Sequence, residues 1–156
     1  MNPKEALTLA QSICSRQEQC RQDILSRLEK WGVNESAAEK IVKQLEKDNF
    51  IDETRYASSY VRDKIKFNKW GKIKICWMLR QKNIPDDIIE QALELIDMDG
   101  YESLLESELI KKNRTLKADD QNTKKRKLIQ FASQRGFENE IVYKIINNLL
   151  QSRSKK

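Results

Sequence analysis

The chain contains no histidine, only two prolines and only four glycines in 156 residues. Without histidine, neutral-pH catalysis loses its commonest general base. Cys14, Cys20 and Cys76 make an odd count with no C-x-x-C spacing. That argues against a disulfide scaffold and against a zinc site, which leans on Cys and His ligands, so the three are read as reduced thiols. No Gly-rich phosphate loop is present. The carboxylates follow helix-surface spacing, which fits simple pairing with Lys and Arg. We therefore expect no catalytic residue, no cofactor and no metal, and a protein that is not an enzyme. No apolar run approaches the roughly 18 residues of a membrane span, and Met1 to Ala10 lacks the apolar core of a secretion signal. The expectation is a cytoplasmic protein with no membrane partner.

What is present is charge and helical periodicity. Charged residues make up 35% of the chain and hydrophobic ones 38%, with a net charge of +6. So much charge predicts thin, elongated packing with much wet surface, and so few breakers predict helices joined by short turns. A template recurs three times. Around Trp31-Gly32-Val33, one helix face is marked by Ile24, Leu25 and Leu28, and the next by Ala37, Ala38, Ile41, Val42 and Leu45. The same steps of three and four recur around Asn83-Ile84, with Ile75, Cys76 and Leu79 before and Ile88, Ile89, Ala92, Leu93 and Ile96 after. They recur again around Gly136-Phe137, with Leu128, Ile129 and Ala132 before and Ile141, Val142, Ile145, Ile146 and Leu149 after. These steps are helical. Leading helices carry Ala6, Ala10 and Cys14, then Ala57, Val61 and Ile65, then Leu105 and Leu109, the last followed by a longer polar loop at about Asn113–Asn122. The fold class is all-α: three tandem three-helix repeats at 1–49, 50–98 and 99–156. Stacked repeats share a core that one such unit could not build alone. Gly32 and Gly136 stand where a left-handed residue ends a helix, and Asn83 holds the equivalent position.

Charge is segregated along the chain. From Arg62 to Lys82 stand eight basic residues, opposed only by Asp63 and interleaved with Phe67, Trp70 and Trp77. Eight more run from Lys111 to Lys127, opposed by Asp119 and Asp120, and between the two stretches Asp86 to Glu108 holds nine acids and no base. Basic residues with interleaved aromatics suggest a polyanion-facing surface. The acidic block favours a protein partner bearing both signs over DNA alone. Trp77, mid-helix, is read as packing between repeats, and Trp70, at a helix start, as a surface residue.

The run Phe50-Ile51-Asp52-Glu53-Thr54-Arg55-Tyr56-Ala57 resembles the signature of the RecX family, and Gly71, Ile75 and Leu79 match its glycine-led helix. Leu128 to Leu149, through Arg135-Gly136-Phe137, matches the family's last repeat. Departures are Cys20, followed three residues on by Asp23, where the family usually places Ser or Thr followed by an acid, Lys74 for Arg, Met78 for Glu and Asn83 for Gly. The thiol of Cys20 is a poor cap, so its helix should start weakly. The resemblance implies a curved helical array that lies in the groove of the RecA–DNA filament. It also implies that the protein inhibits strand exchange and the RecA ATPase, and so modulates DNA repair and homologous recombination. The expected partner is the RecA filament, with single- or double-stranded DNA inside it, and the protein is expected to be a monomer. The expected filament-contacting residues are Arg62, Lys66, Lys69, Trp70, Lys72 and Lys74, with Lys111 to Lys127 ranked second. Asp52, Glu53, Arg55, Tyr56 and Gly71 are expected to be structural, with Asp52 capping its helix and Arg55 bridging to an acid or a carbonyl. The rival reading is a protein that binds DNA directly through its basic stretches.

Overall fold

A computed structural model describes residues 1–117 and 120–154. Every regular element among the described residues is a helix, and there are nine. They are α1 (Pro3–Arg16), α2 (Arg21–Lys30), α3 (Glu35–Lys47), α4 (Glu53–Asn68), α5 (Lys72–Gln81), α6 (Asp86–Glu94), α7 (Met98–Thr115), α8 (Gln121–Gln134) and α9 (Asn139–Ser154). The three-helix template thus recurs three times, as the apolar spacing predicts.

The helix ends follow local chemistry. Asn2 and Asn34 cap α1 and α3 by accepting the N–H groups of Glu5 and Ala37 at 2.8 and 2.9 Å. Gly32, Asn83 and Gly136 all have left-handed backbones, at φ of 80°, 60° and 88°. In each case the N–H of the residue that follows returns to a carbonyl in the last turn of the helix, as in Val33 to Leu28 at 3.0 Å and Phe137 to Ala132 at 3.2 Å.

The helices pack as two compact units, Met1–Val61 with Met78–Glu94, and Arg62–Trp77 with Leu95–Lys156, so the division passes through α4 and α5. In the first unit α1 and α2 both lie on α3. Ala6, Ala10, Cys14, Ile24, Leu28 and Leu45 are at its core. In the second, α7, α8 and α9 pack mutually around Tyr101, Leu105, Leu109, Leu128, Phe137 and Ile146.

The polar loop expected from Asn113 to Asn122 is shorter than predicted. Helix α7 continues to Thr115 and α8 begins at Gln121, while Ala118 and Asp119 lie outside the described residues. The reason is visible in the spacing. Tyr101, Leu105, Leu109 and Asn113 stand four apart on one buried face of α7, so packing carries the helix through polar sequence. Asp120 then caps α8, accepting the Asn122 N–H at 3.0 Å and the Thr123 hydroxyl at 2.9 Å. In the sequence alone Asp120 stands out only as a charge opposing the distal basic stretch.

Candidate functional site

The signature residues lie in the first compact unit, except for Gly71. Asp52 accepts the backbone N–H of Arg55 at 3.1 Å, capping α4. The Arg55 guanidinium donates from Nε to Glu18 at 2.5 Å and from Nη2 to the Asn49 carbonyl at 3.1 Å. It therefore ties the end of the first repeat to the start of the second. Cys20 precedes α2 without any side-chain cap bond, and Glu53 supplies what it lacks, accepting the Arg21 N–H at 3.4 Å. The Tyr56 ring and the Cys20 thiol are both buried and lie close to each other. Burial pushes the Tyr56 phenol up and the Cys20 thiol up to about 11. The α5–α6 turn completes the cover of α2, with Lys82 paired to Asp23 at 2.9 Å and Asn83 bonded to Gln22.

The same device appears in the second unit, around the start of α5. Gly71 is buried, and a Cβ there would stand 2.5 Å from both the Gly136 carbonyl carbon and the Phe137 Cα. Only glycine lets the two backbones approach this closely. In return, the N–H groups of Gly71 and Ile73 donate to the carbonyls of Arg135 and Gly136 at 2.7 and 3.0 Å. The Lys72 N–H between them donates to the Tyr101 hydroxyl at 3.0 Å, and that hydroxyl donates to Glu138. Three helix N-terminal donors that would otherwise be orphaned are thereby satisfied. Tyr101 was missed in the sequence. The signal was there: Ile51-Asp52 with Tyr56 four on is echoed by Ile96-Asp97 with Tyr101 four on.

The six residues expected to contact a filament all lie in the second unit, at the end of α4 and the start of α5. Arg62 and Lys66 are exposed; Lys69, Trp70, Lys72 and Lys74 are half-buried. Aromatic rings hold several of the ammonium groups. Lys64 and Lys74 lie 4.9 and 4.5 Å from the Trp70 ring centre. Lys66 lies 5.3 Å from that of Phe67 and Lys72 5.6 Å from that of Tyr101. Each contact contributes about 0.5–1 kcal/mol at an exposed site. Trp70 thus orders the cations around it. Lys69 has a further role, because its backbone is left-handed at φ 57° and its Nζ donates to the Lys66 carbonyl at 2.6 Å, closing the end of α4. From Lys64 to Pro85 the sequence contains no acid.

Two other features depart from expectation. Trp77, read as packing between repeats, is 58% exposed. Ile75 and Leu79 take the buried face of α5, which leaves Trp77 on the other. The distal basic stretch is mostly helical as well, and from it Lys112 lies 5.5 Å from the Phe131 ring centre, with Arg135 4.7 Å from the same centre. Among the described residues, no group of three or more His, Cys, Asp or Glu is arranged to hold a metal ion. No described helix is long and apolar enough to cross a membrane.

This geometry defines a tandem three-helix-repeat protein with a basic surface organised by aromatic rings. The RecX second three-helix domain matches residues 52–93, and the RecX third three-helix domain matches residues 100–146. The regulatory protein RecX of Prosthecochloris aestuarii is 31% identical over 147 residues, covering 94% of this chain and 95% of its own. That of Chlorobium phaeobacteroides is 30% identical over 149 residues, covering 96% of each. Among solved structures, a crystal structure of regulatory protein RecX superposes with a TM-score of 0.84 at 27% identity, over 94% of this chain and 73% of that one. RecX from Lactobacillus salivarius does so at 0.82 and 25%, over 94% and 96%. The chain belongs to the RecX family of regulatory proteins.

Proposed function

We propose that this protein binds the RecA recombinase filament, inhibits its recombinase and ATPase activities, and so modulates DNA repair and recombination without catalysing a reaction itself. Membership of the RecX family supports the partner. The observation that carries the surface assignment is the acid-free stretch at the end of α4 and the start of α5, where Lys66, Lys72 and Lys74 each lie over a ring. Cations held in place lose less freedom on binding, so they steer an acidic partner efficiently.

Direct DNA binding is the second reading, favoured by the same mixture of cations and rings. Salt separates the two. A phosphate-driven binder loses affinity steeply as salt rises, whereas a protein contact with apolar anchors loses less.

The test is a pair of charge-reversed variants assayed for inhibition of the RecA ATPase. One carries Lys66→Glu, Lys72→Glu and Lys74→Glu. The other carries Lys111→Glu, Lys112→Glu and Lys125→Glu. Lys69 is left intact because its side chain closes α4. The central variant is expected to lose inhibition, mainly through slower association, and to keep its helicity. Parent-like inhibition by the central variant together with failure of the distal one would move the contact to the distal stretch.

A further inference from the structure

Helix α5 has two apolar faces, and the fold uses one. Gly71, Ile75 and Leu79 are buried. Ile73 and Trp77, one helical turn apart, are 57% and 58% exposed. Solvated helix faces are ordinarily polar, so an isoleucine and a tryptophan stacked at i and i+4 leave a costly stripe in water. Lys72 and Lys74 flank Ile73 directly, and no acid stands anywhere from Lys64 to Pro85. Tryptophan is the residue type most enriched at energetic hot spots, where an apolar anchor is ringed by polar contacts.

We propose that Ile73 and Trp77 form the apolar anchor of the recombinase contact, inserting into an apolar cleft with an acidic rim on the partner protein. The inference rests on the RecA reading above and goes further by assigning affinity and steering to different residues. Charge complementarity selects the occupant's rim, since the residues flanking the stripe from Lys64 to Pro85 are cationic or neutral and Asp86, at the far end, is paired with Arg80. The side-chain chemistry selects a protein over a nucleic acid. A branched aliphatic chain such as Ile73 offers neither a stacking platform nor a phosphate contact. Paired with a tryptophan one turn on, it suits the helix-in-groove mode of protein recognition. The rings of Trp70 and Phe67 already carry ammonium groups, so they serve the lysines.

The two assignments predict different kinetics. Lysine reversal should lower the association rate and the salt dependence. Removing the anchor should raise the dissociation rate and leave the salt dependence unchanged.

The experiment measures binding of the full chain to RecA filaments on single-stranded DNA, and to the same DNA without RecA, by surface-immobilised kinetics at two salt concentrations. The variants are Ile73→Ala/Trp77→Ala and, separately, Trp77→Gln, which keeps helix propensity and net charge while barring favourable entry to an apolar cleft. Circular dichroism checks that each retains parental helicity. The expected result is a loss of affinity of about tenfold or more in both variants, carried by dissociation. Parental affinity for the filament in either folded variant overturns the proposal. So does a loss confined to bare DNA, which would make the stripe a nucleic-acid contact. Failure of the parent itself to bind the filament would instead overturn the RecA reading.

Discussion

Replacing Gly71 with alanine tests the reasoning about how α5 is seated. The added methyl would stand 2.5 Å from two backbone atoms, the Gly136 carbonyl carbon and the Phe137 Cα. Backbone cannot rotate aside as a flexible side chain can, so α5 must retreat from the α8–α9 turn. Retreat stretches the bonds of 2.7, 3.0 and 3.0 Å that the N–H groups of Gly71, Lys72 and Ile73 make to Arg135, Tyr101 and Gly136. At about 1 kcal/mol net for each, their loss costs about 3 kcal/mol. With a urea slope of about 2 kcal/mol per molar, the unfolding midpoint should fall by about 1.5 M. Far-ultraviolet circular dichroism measures that shift directly. Gly32→Ala is the control. A Cβ there meets nothing within 4 Å among the described residues, but φ is +80°, so only backbone strain of about 1 kcal/mol is added, a shift of about 0.5 M. Equal shifts for the two variants, or a Gly71→Ala midpoint within about 0.3 M of the parent, would refute the close-approach argument.

Loss of the cap in Asp52→Ala should cost about 1 kcal/mol; unchanged stability with lost RecA inhibition would make Asp52 a contact residue instead. Asn113 is 3% exposed, and neither its amide nitrogen nor its oxygen has a hydrogen-bond partner among the described residues. Asn113→Leu should therefore stabilise by about 1–2 kcal/mol in thermal melting, and a lower melting temperature would show that the amide is satisfied. Burial raises the Cys14 thiol and raises Cys20 to about 11, while Cys76 is only half-buried. Thiol titration of the native protein should modify Cys76 first and Cys20 only on unfolding; early modification of Cys20 would contradict its seating under Tyr56. Burial also raises the phenols of Tyr56 and Tyr101. The folded state then holds protons that the unfolded chain releases near pH 10, so their contribution is whole below about pH 10 and declines above it. The urea midpoint at about pH 11 should lie below that at pH 8, and a rise would contradict the assignment.

The repeat was legible because burial repeats with helical spacing: Leu28, Leu79 and Ala132 hold equivalent buried positions. The turns were legible because Gly32 and Gly136 are residues that tolerate left-handed backbone and Asn83 does so next best. Lys69 was not, since lysine carries no such preference and only the course of the chain from α4 into α5 imposes its φ of 57°. Asn113 looked like loop because polarity outweighed one more step of a four-residue spacing. Trp77 looked like core because an aromatic ring mid-helix ordinarily is. Which face of α5 is buried was decided by Gly71, whose approach to Gly136 is a fact of tertiary structure. The lysines of the candidate surface could be listed from sequence, but their attachment to Trp70, Phe67 and Tyr101 could not, because Tyr101 lies 29 residues from Lys72 along the chain.

The seating of α5 on the α8–α9 turn bears on how such chains can be recombined. A chimera joined at residue 98 treats the central and third repeats as interchangeable cassettes. It would nevertheless separate Gly71 and Lys72 from the Arg135, Gly136 and Tyr101 groups that receive them. Any donor cassette with a bulkier turn would meet Gly71 correctly placed and still fail to close. Gly71, Tyr101 and Gly136 have to be exchanged together, so the unit of inheritance in this fold straddles the repeat boundary that the sequence periodicity draws.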